Sequence, residues 1–148
     1  MRNNQWLNQK LEFIWKNFFS DIKKVNPVEI SFGRNSKRRF GSIKLNRKLT
    51  FLNKKVTPKD KSIITINGYF KSYKIPEFIL DLTIAHELAH YAHGFNSAHA
   101  RNLRYPHQGG VVDKELLDRG LKNMLKLHKQ WVKENWQNFL NEEESNGR

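Results

Sequence analysis

Cysteine is absent from the 148 residues, and acidic residues are half as frequent as basic ones. Without cysteine, the chain has no disulfide framework, no zinc ribbon and no thiol nucleophile. No apolar run approaches the roughly 18 residues of a membrane-spanning helix, and residues 1–6 lack the apolar run of a signal peptide. We therefore expect a cytoplasmic protein without a membrane partner. The 38% of hydrophobic residues suffices for one compact core.

The excess of positive charge is the strongest compositional feature. Lysine and arginine total 27 against 14 acids, a formal net charge of +13. This excess favours a polyanionic partner, nucleic acid first, although it is also compatible with a merely solvated basic surface. Basic side chains that would neutralise phosphates without reading sequence crowd one region. They include Arg34, Lys37, Arg38, Arg39, Lys44, Arg47, Lys48, Lys54 and Lys55.

Three phenylalanines are interleaved with these basic residues: Phe32, Phe40 and Phe51. Exposed aromatic rings there would stack on the unpaired bases of single-stranded DNA. The alternative interpretation places the same rings on the core face of a sheet. No recognition-helix motif is present, so any DNA binding is expected to be independent of sequence.

Hydrophobic periodicity predicts the elements of the amino-terminal half. Apolar residues three and four positions apart from Trp6 to Ile22 predict an amphipathic helix, and Asn26-Pro27 terminates it. Alternating patterns then predict strands at 28–32, 40–45 and 62–70.

The carboxyl-terminal half is predicted to be helical. Pro76 predicts the start of a helix and Gly94 its end. An apolar stripe from Leu116 to Phe139, with a break expected at Gly120, predicts further helices. We thus expect a single α+β domain over residues 1–141, with a small three-stranded, mostly antiparallel sheet. The acidic tail 142–148 has nothing to bury and is expected to be disordered.

The predicted central helix contains the sequence His86-Glu87-Leu88-Ala89-His90. Histidines four residues apart lie on one helix face, so both imidazoles can reach one zinc ion. Glu87 can then contact a water on that ion and act as a general base. The apolar run 78–85 predicts that the helix is buried, where polar side chains need partners that offset their desolvation. A metal ion is such a partner.

A catalytic zinc usually has three protein ligands, so a third is expected. His93 lies about 10 Å along the helix axis from His86 and should overshoot the ion. His107 is favoured, because it stands at the junction before Gln108-Gly109-Gly110 and the next helix. His99 and Glu115 remain alternatives.

The order of these features resembles the SprT family of metallopeptidases, which includes the Spartan-type proteases that degrade proteins crosslinked to DNA. The resemblance covers roughly residues 28–126. It implies a zincin-like fold, with His86, His90 and His107 as zinc ligands and Glu87 as catalytic acid/base. In that family a His-Gly pair supplies the third ligand, whereas here Gln108 separates His107 from Gly109. Many relatives carry a cysteine-based zinc ribbon, so DNA binding here would depend on the basic surface.

These residues support three hypotheses about function. The first is a zinc endopeptidase acting on protein or peptide substrates, among them DNA-bound or DNA-crosslinked proteins. The second is a non-catalytic nucleic-acid-binding protein with a structural or vestigial zinc site, which would have no need of Glu87. The third is a regulatory peptidase with one dedicated, acidic protein substrate. For a peptidase, the candidates that would polarise the substrate carbonyl are His99, Arg101, Arg104 and Tyr105.

Overall fold

The computed structural model describes residues 1–46, 57–101, 103 and 105–147. Its strands are β1 (Val28–Phe32), β2 (Gly41–Asn46) and β3 (Lys61–Ile66). Its helices are α1 (Asn4–Phe18), α2 (Glu77–Ala92), α3 (Val111–Asp118), α4 (Lys122–Trp131) and α5 (Gln137–Asn146). Short 3₁₀ turns span Gly68–Lys71 and Gln108–Gly110, and a π-helical segment, Val132–Trp136, joins α4 to α5. The α+β class is confirmed.

The sheet is mixed, which corrects the expectation of a mostly antiparallel sheet. The strand order is β1-β3-β2, with β3 parallel to β1 and antiparallel to β2. Ile64 and Ile66 of the central strand are fully buried. Alternating hydrophobicity predicts where strands lie along the chain but not which strands pair. Here β1 and β2 are not neighbours in the sheet, because β3 lies between them.

Two predicted boundaries shift because side chains turn the chain. The third strand ends at Ile66 rather than residue 70, since the Asn67 side chain accepts a hydrogen bond from the Tyr69 backbone N–H and starts a 3₁₀ turn. The first helix is capped by the Asn3 side chain and ends at Phe18 rather than near Ile22. Beyond it, the fully buried Phe19 anchors the turn in the core.

Helix α2 lies at the centre of the molecule and contacts α1, β2, β3, α3 and α4. It begins after Pro76 and ends at Ala92, close to the predicted bounds. Gly94 comes two residues later with φ of +84°, and a Cβ there would lie 2.6 Å from the Ala100 carbonyl oxygen. Only glycine fits this turn.

The carboxyl-terminal residues are helical, so the expected disorder of 142–148 is wrong for residues 142–146. The acidic side chains face basic ones from other elements: Lys74 lies 3.7 Å from Glu142 and 3.8 Å from Glu143, and Lys37 pairs with Glu144. Gly120, with φ of +84°, separates α3 from α4 as predicted. Over the described part of the chain, no helix is both long and apolar enough to cross a membrane.

Arg2 ties the amino terminus to the segment before α2. Arg2 is 7% exposed, and its guanidinium donates to the carbonyls of Phe70 (3.1 Å), Ser72 (2.8 Å) and Ile75 (2.9 Å). Three carbonyl oxygens, two of them buried, therefore share one charged donor, which fixes the chain immediately before α2.

We expect Arg2→Ala to lower the free energy of unfolding by about 3 kcal/mol, because those carbonyls lose charge-assisted hydrogen bonds. Urea unfolding followed by circular dichroism measures this loss. Arg34→Ala is the matched control: its side chain is exposed, and the change should stay within about 0.5 kcal/mol. Equal losses in the two variants would contradict the anchoring role of Arg2.

Candidate metal centre

Two histidines of α2 point their ring nitrogens at each other. His86 and His90 are one helical turn apart, and their Nε2 atoms lie 3.1 Å from each other. His90 is only 6% exposed, while His86 is half-buried. The helix is held in place by its buried apolar residues, so the direction of both imidazoles is set by the packing of α2 against the core.

His107 completes the cluster from a different part of the chain. Its Nε2 lies 3.3 Å from His86 Nε2, and the three histidines have ligand atoms within 4.8 Å of one another. Gly109 and Gly110 come next with φ of +62° and +68°. These two left-handed residues turn the chain from His107 into α3, and the extra Gln108 is accommodated within that turn.

The cluster fits a metal ion by geometry and by protonation. A tetrahedral ion with metal–nitrogen bonds of 2.0–2.1 Å separates its ligand nitrogens by about 3.3 Å, close to both distances here. Burial, and next the charge of a neighbouring histidine, lower the pKa of His86 to about 4 and that of His90 to about 3. At neutral pH both rings are therefore uncharged, as a ligand must be. His86, His90 and His107 lie close enough to bind one metal ion.

The side chains of the other candidates for a third ligand contact groups outside the cluster. His93 Nε2 is 3.8 Å from a Glu115 carboxylate oxygen, and the other oxygen of Glu115 is bonded by Arg119. His99 Nε2 lies 2.6 Å from the Lys23 carbonyl, and its ring packs edge-on against Tyr91. His93 thus overshoots the cluster, as the helix geometry predicted.

Glu87 lies in the core, 5% exposed, next to the cluster. Burial raises the pKa of its carboxyl to about 7, against an opposing effect of the Arg39 charge. Gly41 of β2 makes room for it: a Cβ at Gly41 would stand 2.8 Å from Thr83 Cγ2 and 3.4 Å from Glu87 Oε1. The absence of a side chain at the start of β2 therefore leaves the carboxylate uncrowded.

Glu87 and His86 line an open cavity of about 720 Å³. Its walls are largely apolar and come from the start of β2 and from helices α2, α3 and α4. A second recess of about 520 Å³, the basic groove, is lined by Arg34, Arg38, Arg39 and Lys44 together with β2 and β3 residues. Arg38 and Arg39 line both spaces, so the groove adjoins the cavity.

The predicted nucleic-acid-binding residues separate into three groups. Arg34, Arg38, Arg39 and Lys44 are exposed around the basic groove. Lys37 is paired with Glu144. Arg47, Lys48, Lys54 and Lys55 lie outside the described residues, as does Phe51.

The two described phenylalanines are half-buried. Phe40 packs edge-on against Phe70 and Trp136, at centroid distances of 5.2 Å and 5.0 Å. The core interpretation is thus confirmed for Phe40. Phe32 packs against the core and has the Lys71 ammonium 5.8 Å from its ring.

Of the four candidates for polarising a carbonyl, Arg101 and His99 lie in other contacts. Arg101 lies 4.5 Å over the Phe95 ring, and its Nε donates to the Leu103 carbonyl. Tyr105 is exposed two residues before His107, and Arg104 lies outside the described residues. With His99 at the Lys23 carbonyl and Arg101 at the Leu103 carbonyl, neither of these two gains support for this role.

Two buried asparagines that the sequence pattern does not reveal position the site. Asn67, 4% exposed, donates to the carbonyls of Ser36 (2.6 Å) and Arg39 (2.9 Å) and accepts from Ser36 N–H, which fixes the loop carrying Arg38 and Arg39. Asn26 accepts from the Ala98 N–H and from the Tyr91 hydroxyl, which holds the segment after α2. A single buried asparagine adds nothing to the hydrophobic periodicity of the sequence. The one indication was that each asparagine is a polar residue flanking a strand.

Comparison with known proteins identified no relative: no family model, no curated protein and no solved structure matches the chain.

Adding zinc to the metal-free protein should raise its thermal midpoint by about 10 °C at roughly 100 times the dissociation constant. His107→Ala should lose most of this shift, because two imidazoles hold the ion weakly. Differential scanning fluorimetry measures the shift with and without zinc.

The matched control is His99→Ala, which removes a histidine bonded elsewhere. That variant is expected to start from a lower midpoint yet keep the full zinc-induced shift. A full shift in His107→Ala would refute the three-histidine site.

Proposed function

We propose that this chain is a zinc-dependent endopeptidase that hydrolyses peptide bonds in DNA-bound or DNA-crosslinked proteins, with a zincin-like fold related to the SprT family. One observation carries the proposal: a buried carboxylate, Glu87, stands beside three converging imidazoles and borders an open cavity. A structural metal site has no use for an uncoordinated carboxylate facing a cavity. The purely nucleic-acid-binding alternative is therefore disfavoured.

Zinc is the metal proposed because three imidazoles with an open fourth position are the usual donor set of catalytic zinc. The ligands would be His86, His90 and His107. When bound, the ion supplies Lewis-acid activation of a water molecule and of the substrate carbonyl. The hydrophobic residues of α2 hold His86 and His90 in place, and the glycine turn holds His107.

Glu87 is the proposed general base and general acid. Its carboxylate oxygen accepts a proton from the attacking water and then transfers that proton to the leaving amine nitrogen. A pKa near 7 suits both roles, because the group then exchanges a proton in either direction near neutral pH. Burial gives the carboxyl this property, and the space at Gly41 leaves it accessible.

The edge of β2 is the proposed docking site for the substrate main chain. The Asn67 N–H bonds the Phe40 carbonyl, so Phe40 and Ser42 pair with β3 while the backbone of Gly41 faces away from the sheet. The next outward carbonyl, of Ile43, already accepts from the Asn96 side chain at 3.0 Å. An extended peptide would therefore pair at Gly41, beside Glu87.

DNA is the proposed second ligand. The basic groove carries Arg34, Arg38, Arg39 and Lys44, and it shares two arginines with the cavity. Nucleic acid held by these side chains would lie next to the cavity, within reach of an attached protein. A regulatory peptidase that recognises one acidic protein through the same groove is the rival hypothesis, and competition between DNA and that protein separates the two.

Glu87→Gln should reduce cleavage of an unfolded protein such as casein by about 100-fold or more, because the proton acceptor is lost. Zinc content should stay at the wild-type level, since Glu87 is not a ligand. Gel-based cleavage assays and elemental analysis measure the two quantities. Glu12→Gln, at an exposed position of α1, is the control and should cleave normally. Wild-type cleavage by Glu87→Gln would sink the mechanism.

Reversing the charges of Arg38 and Arg39 together to glutamate should weaken binding to a single-stranded oligonucleotide. The salt dependence should flatten, with the slope of log affinity against log salt falling by about 1.4 for two lost phosphate contacts. Fluorescence anisotropy at several salt concentrations measures both. The double variant Lys23→Glu, Lys24→Glu changes net charge equally at an adjacent exposed pair. Identical binding by the two double variants would argue against the basic groove.

A further inference from the structure

The cavity beside Glu87 has apolar walls contributed by separate elements. They are formed by Phe40 before β2, Leu82 of α2, Leu116 of α3, Leu125 of α4 and Val132 of the π-helical segment. Protein interiors are close-packed and leave few voids larger than a water molecule. A recess of about 720 Å³ is therefore not a packing defect, and its size falls in the range of ligand sites.

The position of the cavity relates it to the proposed chemistry. His86 and Glu87 form part of its lining, so an occupant of the cavity lies next to both groups. The backbone of Gly41, which also lines it, faces away from the sheet. A peptide paired at Gly41 would thus present one side chain to the apolar walls while its main chain stays at Glu87.

The π-helical segment contributes Val132 and Lys133 to the same lining. A π segment places one more residue in a turn than an α-helix does, and such segments are frequent at functional sites. Val132 therefore belongs to the wall, and Lys133 to the rim.

The rim is basic. Arg38, Arg39, Lys129 and Lys133 surround the opening, and Asp113, an acid of the lining, is already paired with Lys129 at 2.8 Å. Apolar walls inside a basic rim suit an apolar side chain with acidic neighbours.

We propose that this cavity is a side-chain pocket that selects a bulky apolar residue, aromatic above all, flanked by acidic residues in the protein substrate. The proposal names the substrate class of the peptidase site and rests on that proposed function. The pocket contributes affinity by removing the apolar side chain from water, and the rim contributes by attracting the acidic neighbours.

The test uses binding, so that it does not depend on turnover. Full-length Glu87→Gln protein, loaded with zinc, is titrated into three short fluorescein-labelled peptides. The first has one phenylalanine between acidic residues, the second alanine in its place, and the third phenylalanine between lysines. The first peptide should bind about tenfold or more tightly than the second, from burial of the ring. It should bind about fivefold more tightly than the third.

Variants of the lining locate the effect. Val132→Trp, added to the same protein, should narrow the cavity and reduce the preference for phenylalanine. Leu127→Trp, at a position of α4 that is 51% exposed and outside the lining, should keep it. Lys133→Glu should reduce the preference for acidic neighbours, and Lys126→Glu, at an exposed position of α4 outside the lining, should not.

Each outcome of these measurements supports or overturns the proposed pocket. Equal binding of the phenylalanine and alanine peptides overturns the pocket, whether or not Val132→Trp folds, because that comparison uses the unaltered lining. Loss of the phenylalanine preference in Leu127→Trp as well would also overturn it. Displacement of the peptide by a single-stranded oligonucleotide whose binding Val132→Trp abolishes would assign the cavity to a nucleobase instead. Cleavage of casein by the wild type without any side-chain preference would leave the peptidase standing and the pocket refuted, whereas selective binding without cleavage would do the reverse.

Discussion

The burial of α2 is the constraint on which the rest of the molecule depends. The helix is enclosed by α1, the sheet, α3 and α4, and its buried residues include Glu87 and His90 beside the apolar ones. The free energy of transferring the apolar residues from water holds the helix in the core, and the polar residues are buried with it. Desolvation then keeps the histidines neutral and raises the pKa of Glu87 to about 7. Fold stability and site chemistry therefore have one physical origin.

The site is also defined by the loops around α2, and hydrogen bonds to asparagine fix those loops. The Asn67 side chain, directly after β3, donates hydrogen bonds to the carbonyls of Ser36 and Arg39, which fixes the loop that carries Arg38 and Arg39. Asn26 binds the Tyr91 hydroxyl and the Ala98 N–H, which ties the end of α2 to the segment that leads toward His107. Each buried amide satisfies several backbone groups that would otherwise be unpaired in the core. Replacing either residue by an apolar one of similar size would leave those groups without partners.

The sequence predicted α2 and its two histidines closely, because apolar periodicity, the proline at the start and the glycine at the end all favour the same helix. It also placed β1 at its observed bounds and the break at Gly120. It did not predict the strand order, since alternating hydrophobicity does not indicate which strands pair. It also did not predict the helical tail, because the acidic side chains there meet Lys37 and Lys74 only in the folded chain. The sequence likewise could not predict the distance between His107 and His86. Two glycines with positive φ decide it, and glycine in a sequence does not reveal its own conformation.

If a substrate peptide docks at the β2 edge as proposed, the geometry of that edge limits how the peptide is held, and this bears on the proposed role of the cavity. Among the described residues, none bonds the outward-facing backbone groups of Gly41, whereas the Ile43 carbonyl accepts from the Asn96 side chain. Asn96 is itself held in a left-handed conformation, φ +54°, and its carbonyl accepts a hydrogen bond from Ser62, so this contact is built into the fold. Main-chain pairing would thus be short and contribute little affinity by itself. The side chain in the cavity and the charges at Arg38 and Arg39 would then have to supply most of the binding free energy, which places selectivity in side-chain chemistry.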